Sequence, residues 1–227
     1  ITVDSLNIQD ATTSVTLDGA VTTQTTLDIN SGGTLTQNKK VIAGTSLDYD
    51  AGGALSINET IAATTTVDID ATGVTTIAEA GDITSSGAVT FGANKTGTLT
   101  TAVEITTTDD NVTFTNAVTQ SGDVAIDTGS GAGNILFKST VATADKNLTL
   151  DAGSAGNITA DSSITGGGAF TVVDGAVQLY SGAITVDSLN IQDATTSVTL
   201  DGAVTTQPTV DINSGGTLTQ TAKVDAG

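Results

Sequence analysis

Residues 47–61 read Leu-Asp-Tyr-Asp-Ala-Gly-Gly-Ala-Leu-Ser-Ile-Asn-Glu-Thr-Ile. Leu47 and Tyr49 flank one polar residue, the alternation of a strand with one buried face. Asp50-Ala-Gly-Gly53 follows, a turn sequence in which left-handed backbone conformations cost little. Leu55 and Ile61 then stand six residues apart, which fits two further short strands around a corner. Fifteen residues with so few apolar side chains cannot bury a core alone, so the segment needs neighbours of its own kind.

Those neighbours recur with a period of about 20–23 residues. Outward from Leu47/Tyr49, the apolar-x-apolar pair returns at Leu6/Ile8, Leu27/Ile29, Val67/Ile69, Val89/Phe91, Val124/Ile126, Leu148/Leu150, Phe170/Val172, Leu189/Ile191 and Val210/Ile212. A second phase, two apolar residues six apart, runs through Val15/Val21, Leu35/Val41, Leu55/Ile61, Ile77/Ile83, Leu99/Ile105, Val112/Val118, Ile135/Val141 and Ile158/Ile164. No segment offers the i, i+3, i+4, i+7 stripe of an amphipathic helix. The pattern predicts an all-β, parallel β-solenoid with almost no helix, in which stacked coils share an aliphatic core. At about 4.8 Å per coil, ten or eleven coils make a rod near 50 Å long.

Composition narrows the chemistry. The 227 residues include no Cys, His, Trp, Met or Arg. Thiolate and imidazole chemistry, zinc sites and disulfides are therefore excluded, and a metal could be held only by oxygen ligands. Six Lys against 25 acids leave a net charge of −19, a poor surface for nucleic acid. No apolar run is long enough to insert in a membrane as a helix. With 37% hydrophobic residues the chain is nonetheless too apolar for an acidic disordered tail.

A longer repeat encloses the short one. Residues 184–227 copy residues 1–44, with differences only at Thr25/Pro208, Leu27/Val210, Asn38/Thr221, Lys39/Ala222 and Ile42/Asp225. The chain is thus expected to be a single solenoid over 1–227, with 1–183 as one unit of about nine coils and 184–227 as the start of the next. Such duplication points to a fragment of a longer array. Between Ile105 and Val124 the phase breaks: Leu99 and Val112 are only 13 apart and the first-phase pair is missing. A bulged loop at residues 106–111 and a shortened coil account for this equally well.

Two segments carry a resemblance: residues 47–55 through Ile61, and Leu148-Thr-Leu-Asp-Ala-Gly-Ser-Ala-Gly-Asn-Ile158 through Ile164. They resemble the repeats of filamentous-haemagglutinin-like exoproteins and other large bacterial adhesins. That resemblance covers nearly the whole chain outside residues 106–123 and implies a right-handed parallel β-helix. The secretion domain that marks export in that family has no counterpart in these residues.

Val124-Ala-Ile-Asp-Thr-Gly-Ser130 copies an aspartic-protease signature, but that chemistry needs a second carboxylate sharing the proton. Its alignment with residues 148–159 makes Asp127 one of a column of turn acids instead. The following Gly129–Gly133 imitates a dinucleotide loop, yet residues 134–141 read as strand where a helix would be required.

The acids themselves form the candidate site. After the second apolar position stand Asn30, Asp50, Asp70, Asp127, Asp151 and Asn213, while Asp28, Asp48, Asp68 and Asp211 sit between the pair and face outward. Stacked at about 4.8 Å, carboxylates repel by roughly 1 kcal/mol per neighbouring pair in a high dielectric. Solvation and turn bonding relieve this in one reading. In the other, Ca²⁺ bridges a corner column formed by Asp48, Asp50, Asp68, Asp70, Asp127 and Asp151. The glycine-rich calcium nonapeptide of β-rolls is absent, so such a site would be loose. Outward pairs such as Thr34/Thr36, Thr98/Thr100 and Asn157/Thr159 suggest a second column, able to order water in the ice-binding manner or simply to fill a sheet face.

The functional expectation is a structural or adhesive rod in a giant extracellular, bacterial surface protein. It requires no cofactor and no catalytic residue. Its partners are neighbouring repeats and further copies in a filament or sheath. The alternatives are a solenoid face binding ice, glycan or Ca²⁺, and a β-helical polysaccharide-degrading enzyme.

Overall fold

Thirty-three short strands lie in three parallel sheets of eleven strands each, and no residue is helical. This is the arrangement in a computed structural model describing residues 1–227. Successive strands visit the sheets in strict rotation, so each set of three is one coil and eleven coils stack into a right-handed parallel β-solenoid. We name the sheets A, B and C after the order in which Thr2–Val3, Leu6–Ala11 and Ser14–Leu17 enter them.

Alternation explains the core. In strands such as Ile61–Ala63, Leu55–Ile57 and Val89–Phe91 the first and third residues are buried and the middle one faces outward. The buried residues form one continuous apolar cluster from Leu17 to Val204. Because neighbouring coils pair in parallel register, like residues lie on like: Leu27, Leu47 and Val67 in sheet B, and Val21, Val41 and Ile61 in sheet A. Phe91, Phe114 and Phe137 stack with ring centroids 5.0 and 4.7 Å apart and interplanar angles of 3° and 6°. At the corners the coils approach so closely that a methyl group on Gly33 or Gly87 would run into the carbonyl oxygen of Thr13 or Thr65 on the preceding coil.

The break in phase has a definite origin. Val112–Phe114 is the missing apolar-x-apolar pair, and it lies in sheet B between Val89–Phe91 and Ile135–Phe137. No coil loses a strand. The loop 107–111 takes up the extra chain, with Asp109 in the left-handed region at φ 57°. What changes is the sheet on which the strongest pair falls: Leu6/Ile8 to Val89/Phe91 line sheet B, whereas Val124/Ile126 to Val210/Ile212 line sheet A.

The long repeat inherits this shift. Ser14–Leu17 belongs to sheet C but its identical copy Ser197–Leu200 belongs to sheet B; Val21–Thr23 belongs to sheet A but Val204–Thr206 belongs to sheet C. The second copy begins with Ile184–Thr185, twenty-six strands after Thr2–Val3, one strand short of nine full coils. Because the unit of about nine coils falls one strand short of nine, the same sequence is displayed one face earlier in the A, B, C rotation.

With no native cysteine, the register is open to crosslinking. Adjacent strands bring Cα atoms to about 4.8 Å, inside the 4.4–6.8 Å that a disulfide spans. Thr90 and Thr113 are register partners, so Thr90→Cys with Thr113→Cys should close on mild oxidation. Thr90→Cys with Ala125→Cys should not, and mass spectrometry showing the reverse would place the phase shift elsewhere.

Candidate functional site

The outward positions of sheet B in its third and fourth coils carry Asp48, Asp50, Asp68 and Asp70. Strands Ser46–Ala51 and Thr66–Ala71 pair with Asp48 beside Asp68 and Asp50 beside Asp70. One coil earlier, Asp28 and Asn30 continue the same two rows. The alternation that buries Leu47, Tyr49, Val67 and Ile69 necessarily sends the intervening acids to one face, and the register stacks them there. The result is an acid plate.

A loop covers part of the plate. The corners after the earlier sheet B strands are short, but after Phe91 the chain runs through residues 92–98 before Leu99 begins the next strand. The Asn94 backbone N–H donates to Asp70 Oδ2 at 3.1 Å and Gly97 N–H donates to the Ala71 carbonyl at 2.9 Å. Asn116 Nδ2 holds the loop from above through the Lys95 carbonyl at 2.7 Å. Lys95 reaches two coils down to Asp50, its Nζ 3.7 Å from Oδ1.

Crowding acts on the carboxyl groups. Asp48 is pushed up to about 6, first by loss of surrounding water and then by repulsion from Asp68, Asp50, Asp28 and Asp70. Asp68 is likewise pushed up to about 6, by desolvation and then by Asp70 and Asp50, with partial relief from the Ile69 backbone N–H. Elsewhere stacked acids are relieved by neighbours able to donate. Gln9 Nε2 donates to Asp28 at 2.9 Å, and Asn38 Nδ2 donates to Asp18 at 2.7 Å. At Asp123, backbone and side-chain N–H groups of Asn147 hold the carboxyl below its usual range.

The six acids expected in one corner column occupy two places. Asp48, Asp50, Asp68 and Asp70 form the plate on sheet B; Asp127 and Asp151 are register partners on sheet A. The separation follows from the phase shift, because the same Asp-x-Gly turn moves from the corner after sheet B to the corner after sheet A. Asp127 and Asp151 are used locally, each accepting from the N–H two residues on, Gly129 at 2.8 Å and Gly153 at 3.0 Å. Thr128 of the protease-like motif is buried and donates to the Gly133 carbonyl at 2.9 Å, and Ile135–Phe137 after the glycines is strand. No three carboxylates are set out as a ready-made metal cage.

The Thr column divides in the same way, with Thr34/Thr36 and Thr98/Thr100 on sheet C and Thr113, Thr159 and Thr199 on sheet B. One continuous file does run along sheet C through Thr16, Thr36, Ser56, Thr76, Thr100 and Thr119. In the adjacent rank Ala54 and Val74 intervene between Thr34 and Thr98, so a flat face of paired Thr is not formed. The largest hollow, about 450 Å³, lies at the corner between sheets C and A and is lined by Glu79, Asp82, Glu104 and Asp123. Two of these carboxylates serve the backbone, Asp82 accepting from Glu104 N–H at 3.0 Å and Asp123 from Asn147 N–H at 2.8 Å.

Sequence pattern missed the lid, since nothing in Ala93-Asn-Lys-Thr96 signals that Lys95 folds back two coils. Comparison with protein-family models, with curated proteins and with solved structures finds no match to this chain.

Titration should expose the plate. Asp48 and Asp68 hold protons in the folded state well above the ordinary value of 3.8, so the folded state binds more protons than the unfolded between about pH 4 and 6. Their contribution to stability is greatest at the acid side of that window and falls as pH rises through 6. In calcium-free buffer, Asp48→Asn with Asp68→Asn should flatten this slope and raise Tm at pH 7.5 by about 2–4 °C, as roughly 1 kcal/mol does in a chain of this size after allowance for solvent screening. Parallel Tm–pH curves for the variant and the parent protein would contradict the assignment.

Proposed function

We propose that this chain is a stretch of a stiff extracellular rod, a stalk or filament segment of a large repetitive surface protein. One observation carries the reading: the junction between the first long unit and its copy is structurally seamless. Ile184–Thr185 pairs with Ile164–Thr165 and Ser188–Ala194 pairs with Ala169–Asp174, as any two coils within a unit do. Ile184, Leu189 and Ile191 continue the core across the junction without a gap. Units joined in this way make one spindle, not beads on a string. Shared core and shared backbone pairing resist bending at every coil, which is the property a stalk needs.

Further support comes from how the polar groups are employed. Asp82 and Asp123 beside the largest hollow and Asp127 and Asp151 in their turns all accept from backbone N–H groups, an economy suited to a scaffold. The resemblance of residues 47–61 and 148–164 to adhesin repeats agrees with an exposed, secreted setting. A surface of net charge −19 favours solubility and keeps neighbouring rods apart except where screened or bridged. Lateral assembly into a filament or sheath would use those bridged contacts.

Chains of one, two and three tandem units should distinguish the rod from the alternatives. Electron micrographs are expected to show straight particles of constant width, lengthening by about 42 Å per unit at 4.8 Å per coil. Particles that bend at unit boundaries would overturn the rod reading. Release of reducing ends from polysaccharide by a single unit would favour the enzyme.

A further inference from the structure

The acid plate holds three carboxylate oxygens that are shut off from water and have no hydrogen-bond donor: Asp50 Oδ1, Asp68 Oδ1 and Asp70 Oδ1. Asp70 is the most enclosed, at 2% exposure, because loop 92–98 closes over it. Its Oδ2 is satisfied by Asn94, which leaves Oδ1 as an unpaired acceptor under the loop. Lys95 is the one cation near the plate, and at 3.7 Å from Asp50 Oδ1 it lies beyond hydrogen-bond reach. Four acids with one ammonium group, and three buried acceptor oxygens left over, call for a further positive charge.

We propose that Asp50, Asp68 and Asp70 bind a divalent cation of the Ca²⁺ type beneath loop 92–98, with Asp48 completing the acidic wall. The donors are oxygens alone, which suits a hard cation. Asp68 and Asp70 alternate on one face of a single strand, and Asp50 lies beside Asp70 on the next, so the backbone presents three carboxylates as an L-shaped set. Strand spacing is too rigid to draw them into the tight octahedron that Mg²⁺ requires, whereas Ca²⁺ accepts 6–8 oxygens at about 2.3–2.6 Å in irregular geometry. Because no cage of three is already formed, the side chains must turn inward on binding, and affinity falls in the weak class of about 10⁻⁴–10⁻³ M. Lys95 competes with the ion for Asp50. Asp127 and Asp151, occupied by their own turns, take no part. The site is independent of the rod reading, since a solenoid stands with or without it.

Thermal unfolding in CaCl₂, against NaCl at matched ionic strength and pH 7.5, tests the proposal. Ca²⁺ is expected to raise Tm saturably across the millimolar range. The shift should vanish in Asp68→Asn with Asp70→Asn and persist in Asp127→Asn with Asp151→Asn. Lys95→Gln should lower the Ca²⁺ midpoint several-fold, which a purely structural lysine would not do, and this variant keeps the test open if the double Asn variant fails to fold. An equal rise in matched NaCl, an undiminished shift in Asp68→Asn with Asp70→Asn, or an unchanged midpoint in Lys95→Gln would each overturn the site.

Discussion

The rise between coils is fixed by backbone hydrogen bonding between parallel strands, and everything else in this molecule answers to that spacing. A side chain at one position of a coil must lie about 4.8 Å from its counterpart above and below. Aliphatic residues turn the constraint to advantage, since Leu27, Leu47 and Val67 pack as a column whose members shield one another from water. The three stacked phenylalanines do the same with larger groups. Both inward tyrosines carry a partner with them: Tyr49 donates to Gln37 and Tyr180 to Gln178, each at 3.1 Å.

For acids the same spacing is a liability, and the chain meets it in two ways. Asn interrupts a row, as at Asn38 above Asp18. A turn supplies N–H donors, as at Asp127 and Asp151. On the plate the one loop donor, Asn94 N–H, goes to Asp70, and Asp48 and Asp68 are driven up to about 6 while the loop's single lysine reaches Asp50. Three of the four buried carboxylate oxygens that lack a donor lie on the plate, the fourth being Asp174 Oδ1, and this concentration sets the plate apart from the other acids.

Much of this architecture is legible from residue order. Pairs such as Leu47/Tyr49 announce strands because period-two alternation has no other use, and the Gly-rich corners fix where each strand ends. The outward direction of Asp48 and Asp68 follows at once. What order alone does not reveal is which corner a turn occupies, because Asp-x-Gly looks the same after sheet A as after sheet B. Residue order therefore draws Asp127 and Asp151 into a column with Asp50 and Asp70 that the sheet register divides. Val177-Gln-Leu-Tyr180 presents a similar ambiguity, with an apolar residue available to either face. Its neighbours Ile158 and Val198 decide it, turning Gln178 and Tyr180 inward and leaving Val177 exposed. The reach of Lys95 to Asp50 depends on three-dimensional loop geometry and has no signature in spacing.

A unit one strand short of nine coils also means that a tandem row turns its surface features by one face per unit and regains its first orientation at the fourth. Any surface that matters for assembly is then distributed around the spindle instead of along one side. The stacking that underlies this is tested most directly by solid-state NMR on protein labelled only in its four phenylalanine rings, Phe91, Phe114, Phe137 and Phe170. Ring-to-ring contacts at about 5 Å are predicted to link Phe91 to Phe114 and Phe114 to Phe137, with Phe170 outside the series. Absence of those two contacts, or a contact joining Phe91 directly to Phe137, would contradict an in-register solenoid.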